Sequence, residues 1–248
     1  MASSEIGLGL IGAGRHGIRY ARHIIQDLPN ARLRAVCRQH PQQGLDIPES
    51  GAVTMYGRPE QLIADPRVEA IILVVPPVLH KDLCLAAVAA RKPLLIEKPL
   101  ATNYRDACAM VEAAARSGVP LMTAHTLRYD ETIRAMLASR SRIGQTRRLE
   151  LTSRIETKGL SADHADGYGR RGALLEFGVH LLDLVRLLSG EDIHTVQCVL
   201  DRLPPEHPES SATIQLRTVS GVDCKIEVAR VDAQRVGRAV WSGSDGTL

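Results

Sequence analysis

Short apolar runs alternate with amphipathic stretches through the first half of the chain, which is the pattern of βαβ units and a parallel sheet. Ile6–Ile11 reads as a buried strand that leads into Gly12-Ala13-Gly14-Arg15-His16-Gly17 and then a helix ending near Leu28-Pro29. Leu33–Cys37 is a second predicted strand, and Ala70–Val75, rich in Ile and Val, is a third, stopped by Pro76-Pro77. A predicted helix from about His80 to Ala90 leads to a fourth strand, Leu94–Ile96, ending at Glu97-Lys98-Pro99. Thr102 is the expected N-cap of a helix that closes at Ser117-Gly118, and Leu121–Ala124 is the fifth strand.

Near Gly144 the pattern changes from continuous apolar runs to strict alternation. In Val222-Asp223-Cys224-Lys225-Ile226-Glu227-Val228 the apolar side chains fall on one face and the charged ones on the other, as in an antiparallel sheet with one covered face. Arg147–Thr157, Ile193–Asp201, Ala212–Thr218 and Val236–Trp241 repeat this alternation around one strong helix over about Leu174 to Leu188. The fold class is therefore α/β: a doubly wound parallel sheet over residues 1–124, followed by an α+β domain with an open, mostly antiparallel sheet over residues 125–248.

Composition supports a globular protein with two modest domains: 248 residues, 44% hydrophobic and 24% charged. The net charge of +3 is spread along the chain, so no nucleic-acid partner is expected. The longest apolar stretch, Ala70–Leu79, is too short to span a bilayer, and the N-terminus lacks a basic leader; a cytoplasmic protein with no membrane partner is expected. Five scattered cysteines form neither a CxxC pair nor a disulfide framework. Only five lysines stand against 26 arginines, so a lysine in a site stands out.

The glycine triplet follows a strand and opens a helix, the context that gives GxGxxG its meaning. Gly12 permits the tight turn, Gly14 lets backbone approach a diphosphate, and Gly17 lets helix and sheet pack closely; the helix N-terminus favours phosphate. Arg15 and His16 lie in the same loop. At the end of the second strand, where an NAD-binding site usually places Asp or Glu, the chain reads Cys37-Arg38-Gln39. Arg38 suits a 2′-phosphate, so NADP(H) is expected over NAD(H).

With the glycine loop, Val75-Pro76-Pro77 with His80, Glu97-Lys98-Pro99, Leu127-Arg128-Tyr129 and the segment Gly172–Asp183 in order, the sequence resembles the glucose-fructose oxidoreductase, inositol dehydrogenase and MocA (Gfo/Idh/MocA) family of NAD(P)-dependent oxidoreductases. The resemblance covers nearly the whole chain and implies a Rossmann domain followed by an open substrate-domain sheet. It also implies hydride transfer between the nicotinamide of NADP or NAD and a secondary alcohol or carbonyl of a small polyol, sugar or sugar derivative. Lys98 is implied to polarise the reacting oxygen. His180 is implied to exchange the hydroxyl proton, with Glu176 or Asp183 orienting these groups. Glu176, His180 and Asp183 can share one helix face while Leu181, Leu184, Val185 and Leu188 pack elsewhere. Val75, Pro76, His80, Glu97 and Lys98 are implied on the cofactor side, joining the glycine loop and Arg38. Arg128, Tyr168, Arg170 and Arg171 are expected to border the substrate, the last three from the polar loop Lys158–Arg171.

Three departures from the family pattern stand out. Glu176 occupies a place where many members carry Asp. A Pro- and Gly-containing loop over Gln42–Tyr56 replaces the usual helix after the second strand. The end at Val240–Leu248 resembles a strand and turn that members normally continue past, so the substrate sheet is expected to be short. Spacing around Asp163, His164 and His180 matches no metal pattern, and no elbow nucleophile is present, so neither metal nor hydrolysis is expected. A homo-oligomer through the C-terminal sheet is expected, since open faces and edges need covering. The alternative is a catalytically inactive NAD(P)-binding sensor or regulatory protein of the same fold.

Overall fold

A computed structural model describes residues 5–48, 50–156, 172–202, 209–232 and 234–248. The chain divides into two compact units, Met1–Ala124 and His125–Leu248.

The first unit contains β1 (Ile6–Ile11), α1 (Gly17–Gln26), β2 (Ala31–Cys37), β3 (Thr54–Tyr56), α2 (Pro59–Ala64) and β4 (Ala70–Leu73), then α3 (His80–Ala89), β5 (Leu94–Ile96), α4 (Tyr104–Ser117) and β6 (Leu121–Thr123). Six parallel strands lie in the order β3-β2-β1-β4-β5-β6. The order reverses between β1 and β4, the switch point where open α/β sheets build their sites. Successive residues of a strand point to opposite faces, and here both faces are covered, which is why the strands read as unbroken apolar runs. Ile11, Ile71, Leu73 and Ile96 pack against Leu62, Cys84, Ala87, Met110 and Ala114 of α2, α3 and α4. Leu10, Leu33, Val36 and Ile72 pack on the other face against Ala21 and Ile24 of α1.

Two elements of this unit were not legible in the pattern. β3 is a three-residue edge strand, too short to show a period, and it takes its place by pairing Val36 with Met55. α2 is six residues opening on Pro59, a proline that reads as a breaker unless its place at the first helical position is known. The cap of α4 is Asn103 rather than Thr102: its Oδ1 accepts the Asp106 N–H at 2.9 Å, the reach that one residue immediately before the helix provides. The loop after β2 holds a short 3-10 turn, Pro41–Gln43, in place of a helix.

The second unit contains α5 (Glu131–Ala138), β7 (Thr146–Glu156), α6 (Val179–Ser189), β8 (Ile193–Asp201), β9 (Ser211–Thr218), β10 (Asp223–Asp232) and β11 (Val236–Gly243). Its sheet order is β11-β7-β10-β9-β8; β10 and β7 pair parallel and the other neighbours antiparallel. Leu181, Leu184, Val185 and Leu188 of α6 bury against Leu149, Leu151, Ile214, Leu216, Ile226, Val228 and Trp241. Each such side chain contributes about 1.5–3 kcal/mol relative to exposure, an upper bound because unfolded chains are partly collapsed. The opposite face carries ion pairs, among them Lys225–Glu227 at 2.6 Å and Arg148–Glu150 at 3.0 Å. Leu174–Gly178 forms a single π-helical turn that runs directly into α6, a feature common at functional positions.

Candidate active site

In the first unit the glycine loop joins β1 to α1. Gly12 sits at φ +99°, a left-handed conformation that L side chains rarely adopt, and a Cβ there would lie 2.8 Å from Val75 Cγ1. A Cβ on Gly17 would strike the Gly12 carbonyl oxygen, so the turn closes only with glycine at both ends. Nothing lies within 4 Å of the Cβ position of Gly14, which leaves open room above the loop. Backbone that can be approached closely, open space and a helix N-terminus fit the diphosphate of a dinucleotide. Arg15 and His16 are exposed beside it.

The turn after β5 carries Glu97, Lys98 and Pro99, with the Lys98–Pro99 bond cis. Glu97 is 4% exposed, and both its carboxylate oxygens are engaged. Oε1 bonds His16 Nε2 at 2.8 Å and accepts from Tyr20 Oη at 2.6 Å, while Oε2 accepts the Lys98 N–H at 3.0 Å. Burial by itself would raise the Glu97 pKa. The hydrogen bonds from His16 and Tyr20 and the charges of His16 and Lys98 outweigh burial and hold it below the ordinary value. Lys98 is half-buried.

His80, fully buried at the start of α3, ties this turn to the one after β4. Its Nδ1 lies 3.1 Å from the carbonyl oxygens of both Pro99 and Leu100, and its Nε2 lies 3.0 Å from that of Val75. A neutral imidazole has one N–H and can donate to one side only; an imidazolium donates on both. His80 thus sits between the Val75-Pro76 and Pro99-Leu100 turns, within hydrogen-bond reach of carbonyls on both. Arg38 is bound to its own loop: Nη1 donates to Gly44 O at 2.7 Å and Nη2 to Gln43 Oε1 at 2.8 Å, holding the Pro41–Gln43 turn.

In the second unit, the π-turn and α6 carry Glu176, His180 and Asp183 at successive turns. The structure gives each carboxylate an arginine. Arg128 donates Nε to Asp183 Oδ2 at 2.7 Å and Nη2 to Oδ1 at 2.6 Å, a two-point pair that raises the Arg128 pKa, first through its hydrogen bonds and then through charge. Arg128 thus meets α6 directly. Glu176 forms an ion pair with Arg230 of β10. The Arg230 guanidinium also lies over the Phe177 ring, 6.0 Å from its centroid, and burial lowers its pKa. His180 is half-buried and meets His125 edge-on, with ring centroids 5.9 Å apart and planes at 83°. Tyr168, Arg170 and Arg171 lie outside the described residues.

His125, Arg230, Tyr20 and the linking role of His16 were not singled out in the sequence. Arg230 had a visible signal: it follows Cys224, Ile226 and Val228 at two-residue spacing, a charged side chain on the buried face of a strand. His125 and Tyr20 carried none, because each acts through a residue distant in the chain. Among the described residues no three His, Cys, Asp or Glu side chains are grouped to hold a metal ion, and no helix is long and apolar enough to cross a membrane.

Residues 6–125 match the model of the oxidoreductase family with an NAD-binding Rossmann fold, and residues 130–248 match the GFO/IDH/MocA C-terminal domain. Inositol 2-dehydrogenase of Burkholderia multivorans is 31% identical over 234 residues, which cover 89% of this chain and 66% of that protein. The chain therefore spans just under two thirds of the length of the curated relatives it matches. An NAD-binding oxidoreductase from Klebsiella pneumoniae superposes with a TM-score of 0.82 at 27% identity, covering 99% of this chain and 72% of the other. The apo scyllo-inositol dehydrogenase of Lactobacillus casei superposes at 0.86 over the full chain and 75% of its own length; at 17% identity it shows the shared fold alone. From strand order, glycine loop, lysine turn and histidine helix to these matches, the chain belongs to the GFO/IDH/MocA oxidoreductase family.

Proposed function

We propose that this protein is an NAD(P)-dependent dehydrogenase acting on a secondary alcohol of a small polyhydroxylated ring or sugar, with a cyclitol such as inositol as the leading candidate. The observation that carries this reading is the retention of a lysine in the turn after β5 and a histidine on α6, in a chain 31% identical to an inositol 2-dehydrogenase. A bound nicotinamide cofactor supplies the acceptor or donor of the hydride. Gly12, Gly14 and Gly17, with Arg15 and His16, hold its diphosphate; Val75, Pro76, His80 and Glu97 shape the strand ends beside it. Lys98 polarises the substrate oxygen, and His180 takes the hydroxyl proton as the carbonyl forms and returns it in the reverse direction. Glu176 and Asp183 set the face of α6 that presents His180, each held by its arginine. Arg128, Tyr168, Arg170 and Arg171 remain the proposed substrate contacts.

Arg38 alone favours a 2′-phosphate, and two of its N–H groups are bound within its own loop. Together with the NAD-binding family match, this favours NAD(H) as the working cofactor over the NADP(H) expected from Arg38. Calorimetry with both cofactors separates them, and tighter NADP(H) binding reverses the assignment. The second reading, an inactive cofactor-binding regulator, draws on the Glu176–Arg230 pair, which neutralises a carboxylate beside the histidine. A panel of inositols, other polyols and aldoses assayed for cofactor reduction, with Lys98→Ala and His180→Ala as controls, decides between them. Tight cofactor binding without turnover, or turnover that survives both substitutions, defeats the enzyme. Self-association through the C-terminal sheet is part of the same proposal: the edge strand β8 exposes Val196 and Val199. A strict monomer in light scattering refutes it.

A further inference from the structure

The turn that carries Lys98 is held by groups from the glycine loop and from α1. Glu97 is buried, and a buried carboxylate is costly unless its oxygens are hydrogen-bonded. Its two oxygens face two different elements. Oε1 is met at 2.8 Å by His16, which lies between Gly14 and Gly17, and at 2.6 Å by Tyr20, one turn further along α1. Oε2 accepts the Lys98 N–H at 3.0 Å. His16 and Tyr20 also brace each other edge-on, with ring centroids 5.5 Å apart at 83°. On the far side of the same turn, His80 holds the carbonyls of Pro99 and Leu100. The residue that orients Lys98 is therefore itself oriented from the glycine loop.

We propose that His16 and Tyr20 are positioning residues for Lys98, acting through the buried carboxylate of Glu97, so that the glycine loop and the lysine turn move as one hydrogen-bonded unit. The inference rests on the dehydrogenase reading for its effect on turnover, but not for its structural content. Charge-assisted hydrogen bonds of this length are among the stronger ones, and three of them on one carboxylate leave it little freedom. Loss of the Tyr20 hydroxyl releases one bond to Oε1. The carboxylate then rotates toward His16, and the Lys98 N–H follows it. Displacing a catalytic group by about 1 Å costs on the order of 100-fold in rate, so Tyr20→Phe is expected to lower kcat by about 10- to 100-fold while cofactor affinity stays within about threefold.

A readout independent of turnover uses the scarcity of lysine. The full chain, reductively dimethylated with carbon-13, gives NMR signals from its five lysines and from the α-amino group, and Lys98→Arg identifies the one of interest. In Tyr20→Phe and His16→Ala the Lys98 signal is expected to shift or broaden while those of Lys81, Lys92 and Lys225 stay in place. His16→Gln, whose amide can donate to Glu97 in the same direction, is expected to restore the signal toward that of the unsubstituted chain. An unchanged Lys98 signal in both Tyr20→Phe and His16→Ala overturns the proposal, as does a kcat loss in Tyr20→Phe with the Lys98 signal in place. If His16→Ala fails to fold, Tyr20→Phe, which removes one oxygen and keeps the ring, decides alone. If no substrate in the panel is turned over, the dehydrogenase reading fails while the lysine signals still settle the coupling.

Discussion

The Glu176–Arg230 pair is the feature whose removal has the most specific consequence. Arg230 is 8% exposed, and burial already disfavours its charged form. Glu176→Gln keeps the side-chain volume and removes the counter-charge, leaving a guanidinium among the Phe177 ring and the start of the α6 segment. Breaking a buried pair from one side costs about 3–5 kcal/mol. At about 2–4 °C per kcal/mol for a chain of this size, the melting midpoint should fall by roughly 6–20 °C. Arg230→Met, which strands the carboxylate instead, should cost a similar amount. Replacing both partners by uncharged groups of like size removes the stranded charge, so Glu176→Gln/Arg230→Met should lie within about 1–2 kcal/mol of the original protein and show coupling of about 4 kcal/mol or more. Glu176→Asp should fall between, because withdrawing the carboxylate by one methylene stretches the pair without removing its charge. Urea unfolding of the four proteins supplies the cycle. Single substitutions that each cost under about 1 kcal/mol, or costs that simply add, refute the reasoning. Turnover of the double variant then measures what Glu176 does for His180 apart from stability.

Three further outcomes follow from the structure. Lys98→Ala and His180→Ala should each lower kcat by about 100-fold or more while calorimetric NAD(H) affinity changes little, as for groups acting on the substrate oxygen and its proton; a loss confined to cofactor affinity contradicts the roles given them. Gly12→Ala forces a methyl group toward Val75 at φ +99° and should abolish cofactor binding and cost about 1–3 kcal/mol in urea unfolding; retained binding contradicts the cradle. Asp65 is held down to about 2, first by hydrogen bonds from Arg67, with a lesser one from Tyr56, against burial. A pKa lowered on folding gives stability that is present above the ordinary carboxylate value and lost as pH falls from about 4 through about 2. Because Arg67 is half-exposed, the amount is about 1–2 kcal/mol, and Asp65→Asn should flatten that stretch of the stability-against-pH curve.

The two sheets and their kinds were legible because burial leaves a period. A strand covered on both faces must be apolar throughout, as β1 and β4 are, whereas one covered on a single face must alternate, as β10 does with Cys224, Ile226 and Val228. The glycine loop, the lysine turn and the histidine helix were legible for a related reason, since each needs particular residue types within a few positions of one another. β3, α2 and α5 were not, because three to eight residues are too few to carry a period, and their places are set by what they pair with or pack on.

What the linear chain determined alone was therefore the fold class, together with which residues are candidates for the cofactor cradle and for acid–base work. Which partner each charged group takes was decided only in three dimensions. Arg38, expected to face a phosphate, closes its own loop; Asp183 is held by Arg128, 55 residues away, and Glu97 by Tyr20, 77 residues away. Glu176 finds Arg230 on β10. Local spacing records what a short segment must be in order to fold, whereas a buried charge is satisfied by whichever opposite group the topology brings within about 3 Å, and that distance has no image in sequence separation.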